Sequence, residues 1–208
     1  MTVYTTEEEQ VEQIKKWLQQ YGASIVLGIV LALALSYGYR LWRSHVATRQ
    51  ARVAVAYSQL LDSVAANKTD EASAQAAYIK NTFPDSPYAI LAALFEAKQA
   101  VAADKLDAAV VALTWAQQHS RVEPFKTIAA LRLARVYVAQ GKPELAAKIL
   151  ALMPNKTFTG LSAYVRGNTL LARGDTSGAM AAFRQALDSM PENTALMPLI
   201  QMQYSNVT

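Results

Sequence analysis

The stretch GLSAYVRGNTLLARGDTSGAMAAFRQALDSMP, residues 160–191, decides the fold. Gly167, Ala179 and Ala186 are small, Gly174 suits a turn, Phe183 is large and apolar, and Pro191 ends the segment. That order describes two short helices folded back on each other. Thirty-three residues earlier, Ala134, Gly141, Ala146, Leu150 and Met153 occupy the same slots. Thirty-seven residues before those stand Ala97, Asp104, Ala109, Leu113 and Ala116. Small residues sit where two helices cross closely, a glycine or Asp104 takes the turn, and a large apolar residue fills the gap to the next unit.

This pattern resembles the tetratricopeptide repeat, a two-helix unit of about 34 residues. The reading is all-α: a tetratricopeptide-like α-solenoid of three helical pairs. A hairpin array without repeat ancestry would have the same architecture. The wider spacing of 37 predicts a longer connection around Gln118 to Pro124. A solenoid must cover its last apolar face, and the apolar segment Thr194 to Tyr204 predicts the capping helix. Before the first pair, Asp70 is expected to N-cap a helix from about Glu71 to Phe83. Pro84-Asp85-Ser86-Pro87 reads as a turn, with Ser86 as N-cap and Pro87 at the first helical position.

Working outward to the N-terminal side, no charge stands between Lys16 and Arg40. The apolar run GASIVLGIVLALALSYGY, residues 22–39, has eighteen residues. As a helix it rises about 27 Å, close to the bilayer core of about 30 Å. Trp17 and Tyr21 flank one end and Tyr37, Tyr39 and Trp42 the other, where amphipathic rings meet head groups. A soluble helix of this length would show a polar face, and this one shows none. Ala32-Leu33-Ala34 has the form of a signal cleavage site, but the preceding segment is acidic, so the run reads as an uncleaved anchor. The chain thus divides into a tail (1–16), a single N-terminal transmembrane helix with its flanks (17–42) and a repeat domain (43–208). Helical periodicity continues from Ser44 to Ala66, so the anchor is expected to run into the first soluble helix. Ser24, Gly28, Ala32 and Ser36 form a ridge of small residues along the anchor, the kind that admits another helix closely.

Of 208 residues, 52% are hydrophobic and 17% charged, which excludes a disordered chain. Cysteine is absent, so disulfides, thiolate metal sites and cysteine nucleophiles are excluded. His45 and His119 are the two imidazoles, one in a basic run and one in an expected loop. With no phosphate loop, nucleophile elbow or H-E-x-x-H, the chain reads as a non-enzyme without cofactor or metal. The net charge of +4 owes most to Arg40, Arg43, Arg49 and Arg52 beside the anchor, on a nearly balanced body. Nucleic-acid binding wants a basic stripe with aromatics on the folded domain and is not expected. The same arginines favour a cytoplasmic body by the positive-inside bias.

Repeat arrays bind on the concave face made by the first helix of each pair. Mapped on this sequence, that face carries Leu91, Leu94, Lys98 and Val101. It continues with Ile128, Leu131, Arg135 and Val138, then Leu161, Tyr164, Asn168 and Leu171. Leu94, Lys98, Leu131, Arg135, Tyr164 and Asn168 are its candidate partner contacts. So composed, the groove is mainly apolar with one polar residue per repeat. It would suit an extended polypeptide, whereas acidic ligands would want several cations together. The alternative is that neighbouring helices cover these side chains, since leucine is so often buried.

Read whole, the chain resembles the ancillary SecYEG translocon subunit family (the YfgM type). The marks are EQVEQIKKW at 9–17, YGYRLWRSH at 37–45, RLARVY at 132–137 and RGNTLLARGD at 166–175. The resemblance implies a bacterial inner-membrane protein with a cytoplasmic N-terminal tail and a periplasmic repeat domain. It implies association with the SecYEG channel and the membrane-anchored periplasmic chaperone PpiD, passing emerging client polypeptides to periplasmic chaperones. It also implies that the tail restrains an envelope-stress response regulator. Against the local arginine count the family topology is preferred, because long domains translocate largely regardless of charge. A membrane-anchored repeat scaffold for another envelope complex is the alternative.

Overall fold

A computed structural model of the chain describes residues 7–153, 158–191 and 194–207. Among the described residues every regular element is a helix: α1 (Glu7–Ala65), α2 (Thr69–Thr82), α3 (Pro87–Ala102), α4 (Leu106–His119), α5 (Glu123–Ala139), α6 (Pro143–Ala151), α7 (Thr159–Ala172), α8 (Thr176–Ser189) and α9 (Met197–Val207). The chain forms two compact units, Met1–Arg52 and Val53–Thr208. The first six residues of the tail lie outside the described residues.

In the first unit α1 is continuous through the apolar run. Its most apolar 18-residue window has a mean hydropathy of 1.8, and none of it is buried. Trp17, Leu27, Leu35 and Trp42 are exposed on several sides of the helix. A helix that exposes apolar side chains all round is stable in hydrocarbon rather than water, and its backbone hydrogen bonds are satisfied internally there. This helix is the chain's candidate membrane span.

The second unit is a row of α-hairpins. Each turn is made the same way. Asp104 has φ 57°, Gly141 68° and Gly174 81°, the left-handed conformation that ends a helix. Two backbone bonds close each turn. At the first, Lys105 N donates to Ala100 O at 2.8 Å and Asp104 N to Val101 O at 3.1 Å; Lys142 and Asp175 repeat the longer-range bond to Tyr137 O and Leu170 O.

A fourth copy of this turn closes α1 onto α2. Asn67 has φ 56°, Lys68 N donates to Ser63 O and Asn67 N to Val64 O. The left-handed residues are therefore spaced 37, 37 and 33 apart. Leu60, Ala72, Ala76 and Ile79 stand in the register of Ala97, Ala109, Leu113 and Ala116, and all eight are buried. The end of α1 and all of α2 thus form a repeat-like hairpin ahead of the three seen in the sequence.

Two local expectations are corrected. Asp70 does not cap α2: the helix starts at Thr69 after Lys68, and Asp70 lies in its first turn, where its charge faces the positive helix end. The wider spacing does not make a long loop near Gln118. Only Ser120–Val122 separates α4 from α5, and the extra residues lengthen the helices, α5 to 17 residues against 14 in α7. Ser86 does cap α3, its hydroxyl accepting from Tyr88 N at 3.2 Å with Pro87 following.

Three apolar clusters follow one another along the row. The first joins Val53 and Leu60 to Ile79 and Ala89, the second Leu94 to Leu113 and Leu133, the third Leu131 to Phe183 and Ile200. Trp115 packs against the first two, Tyr137 and Ile149 against the last two. Close crossing sets the third hairpin. A Cβ on Gly167 would lie 2.5 Å from the Phe183 ring, so only glycine fits there. Asp175 caps α8 by accepting from Gly178 N at 2.8 Å. α9 then covers the last face, its Ile200 fully buried in the cluster of Phe183.

Phe183→Ala should destabilise the array by about 3–5 kcal/mol, since a filled ring site becomes a cavity. Gly167→Ala should cost about 1–3 kcal/mol by overpacking against the same ring. Thermal unfolding of the full chain in detergent, followed by far-ultraviolet circular dichroism, checks both. A Gly167→Ala protein as stable as wild type would show that the crossing has slack.

Candidate functional site

The first helices of successive hairpins, α3, α5 and α7, carry Lys98, Arg135 and Asn168 in matching register. These three line connected clefts. One, of about 390 Å³, is formed by α3, α4 and α5 and lined by Ala97, Lys98, Val101, Leu106, Leu113, Arg132, Arg135, Val136 and Ala139. The next, of about 290 Å³, lies between α5 and α7 and is lined by Arg135, Val138, Ala139, Tyr164, Val165 and Asn168. Arg135 and Ala139 belong to both, so the two clefts adjoin.

The apolar candidates behave differently from the polar ones. Leu94 is 6% exposed, Leu131 2% and Tyr164 5%. They are core residues, not an open rim. The reason is the crossing that defines the repeat. Each lies one turn before the small residue (Ala97, Ala134 or Gly167) at which the second helix closes in. Leu94 packs in the cluster of Leu113, and Leu131 in the cluster of Phe183. Tyr164 meets the Phe183 ring at 6.3 Å between centroids, and part of its side chain still lines the second cleft. Lys98 and Arg135 are exposed. Asn168 is partly buried, and its Nδ2 donates to Tyr164 O at 3.2 Å, so its amide is partly engaged by its own helix.

The residue that the sequence reading missed is Arg132. It precedes Arg135 by three positions on α5, a spacing that places both on one helix face. That spacing was the available signal. Arg132 is exposed overall, like Arg135; partial desolvation at the cleft wall, and then the charge of Arg135, lower its pKa from that of a free guanidinium. An arginine remains charged through any such shift at neutral pH. Some cations elsewhere in the unit are ion-paired, Arg121 with Asp85, Arg173 with Glu144 and Lys80 with Glu96. Among the described residues no carboxylate lies within ion-pair distance of Lys98, Arg132 or Arg135. The face is therefore more cationic than one polar residue per repeat suggested.

His119 stacks on Trp115, ring centroids 4.1 Å apart, and its Nδ1 is 3.0 Å from Trp115 O. Among the described residues no group of three His, Asp or Glu side chains is placed to hold a metal ion. What the arrangement offers chemically is a surface for binding: an apolar floor, three cations and an amide.

On α1, Ser24, Gly28, Ala32 and Ser36 are all exposed along the helix. A Cβ added at Gly28 would meet nothing within 4 Å.

Residues 15–208 match the family described as Tetratricopeptide repeat-like domain. Three curated relatives share the printed name Ancillary SecYEG translocon subunit. The one from Escherichia coli (strain K12) is 30% identical over 211 residues, covering 100% of both chains. That from Haemophilus influenzae is 29% identical, covering 89% of this chain and 91% of its own. That from Aggregatibacter actinomycetemcomitans is 30% identical, covering 98% and 99%. No solved structure matches the chain.

Leu131→Ala should cost about 2–5 kcal/mol of stability, as a buried leucine does. Arg135→Ala should move stability by less than about half a kcal/mol, as exposed substitutions do. Parallel thermal melts decide it; a silent Leu131→Ala would return that residue to the open face.

Proposed function

Because this chain belongs to the ancillary SecYEG translocon subunit family and carries its tetratricopeptide repeat-like domain, we propose that it is a non-catalytic accessory of the SecYEG translocon. The observation that carries this is coverage. Likeness to the named relatives runs across anchor and repeat body alike. In this reading α1 spans the bacterial inner membrane and joins the chain to the channel complex. The hairpin array holds polypeptide in the groove of Lys98, Arg135 and Asn168.

The finer parts of the proposal follow the family. The body stands in the periplasm and the tail in the cytoplasm. The groove meets the chaperone PpiD or client polypeptides, and the acidic tail meets an envelope-stress response regulator. The ridge of Ser24, Gly28, Ala32 and Ser36 is the proposed docking line to a membrane partner. Small residues let two backbones approach, and packing rather than hydrophobicity drives association in lipid.

Purification of the full chain in mild detergent should recover SecY; its absence, with the chain intact in the membrane, would sink the proposal. Gly28→Leu should lower that recovery without affecting insertion, because the added side chain separates the backbones while favouring the bilayer. Leu33→Ile, off the ridge, should leave recovery unchanged. Protease added to intact spheroplasts should digest the body, and full protection would place it in the cytoplasm instead.

A further inference from the structure

We infer that the cleft between α3, α4 and α5 selects an acidic side chain within an extended, otherwise apolar polypeptide segment. This rests on the reading of the groove as a polypeptide site and adds the chemistry of what it holds.

Three observations converge on the cleft. Its floor is apolar: Ala97, Leu113 and Val136 are buried beneath it. Its lining contains three cations, Lys98 from α3 and Arg132 and Arg135 from α5. Those cations share one cleft and have no carboxylate partner among the described residues. Like charges gathered on a concave apolar surface repel one another, and the low-dielectric wall strengthens that repulsion. The pKa of Arg132 is shifted down in keeping with this, by partial desolvation first and then by Arg135. An arriving carboxylate relieves the repulsion and accepts charge-assisted hydrogen bonds, with guanidinium geometry suited to two at once.

The shape of the site favours a side chain in mid-segment over a chain terminus. Arg135 and Ala139 line both this cleft and the next, so the groove continues past the cations towards Asn168. A segment lying along α3, α5 and α7 would place its carboxylate at the cations and its apolar neighbours in the two clefts. Extended segments present alternate side chains to one surface, which matches pockets that follow one another. An apolar floor argues against a bare phosphate backbone as the occupant, since phosphates would leave it unused.

The test uses the full chain in nonionic detergent. The probe is the peptide Leu-Ser-Leu-Glu-Leu-Ser-Leu, labelled with fluorescein at its N-terminus and amidated at its C-terminus. Its twin carries glutamine in place of the glutamate. By fluorescence anisotropy at low ionic strength the glutamate peptide should bind roughly tenfold more tightly, the effect expected of a charge-assisted contact. The difference should shrink as salt is raised, because the cations are exposed to screening. Lys98→Gln, Arg132→Gln and Arg135→Gln should each reduce the difference, and Arg166→Gln, in the cleft between α6 and α7, should not. Circular dichroism identifies any variant that fails to fold, and the other two then decide.

Equal affinity for the twins, no binding of either, or selectivity that survives the cleft variants would overturn the inference. So would binding of phosphatidylglycerol vesicles that the same variants abolish without any peptide selectivity, which would make the cleft a membrane contact. SecY recovery is read on the same preparations. Equal affinity with SecY retained removes the acidic selectivity alone, whereas loss of SecY from the wild-type chain removes the translocon reading.

Discussion

The repeat body depends on one backbone device, a left-handed residue that closes the first helix of each hairpin with two hydrogen bonds. Asn67, Asp104, Gly141 and Gly174 all occupy it. Such a turn satisfies carbonyls that a helix end would otherwise leave bare, and it aims the next helix back along the first. Once the direction of return is set, the two helices must cross within reach of their backbones. That requirement explains Ala97, Ala134 and Gly167 before the turns and Ala109, Ala146 and Ala179 after them. It explains most sharply why Gly167 faces the Phe183 ring, where a Cβ has no room. Hairpins made this way leave one apolar face uncovered, so each needs a neighbour, and α9 supplies the last one.

The first hairpin shows how far side-chain identity can vary while the backbone device holds. Glycine enters the left-handed region at no steric cost, and asparagine and aspartate are the residues that follow it most readily. Two of the four turns use these substitutes. Their presence hides a repeat from a search for glycine, although Leu60, Ala72, Ala76 and Ile79 keep its spacing and are buried as the register requires. The apolar run of α1 has exposed side chains suited to lipid, and Val53, Ala56 and Leu60 further on belong to a protein core.

Electrostatics on the inner face arises from the same geometry. Helix crossing turns Leu94, Leu131 and Tyr164 into core, and the residues one turn further on remain at the surface. Two of those are cations, and Arg132 joins them from the adjacent position on α5. A face expected to be apolar with scattered polar groups is therefore apolar at its floor and cationic above it. The functional reading of an array changes with that distinction, because an apolar floor supplies area and the charges above it supply selectivity.

By itself the sequence determined the elements and their order. Period, turn residues and small-residue slots are local properties, and they announced three hairpins, the cap of Ser86 and the covering helix. The apolar run from Gly22 to Tyr39 announced the candidate membrane segment, because bilayer thickness converts directly into residue count. The family, too, was legible in short motifs. Tertiary structure decided which side of each first helix faces outward. A periodic pattern marks residues as apolar without saying which neighbour covers them, so Leu131 could be rim or core until the neighbouring helices packed against α5. Nor did a linear count of one polar residue per repeat include Arg132. Whether two charges share a cleft depends on how adjacent helices pack, and only the assembled array brings Lys98, Arg132 and Arg135 around one floor.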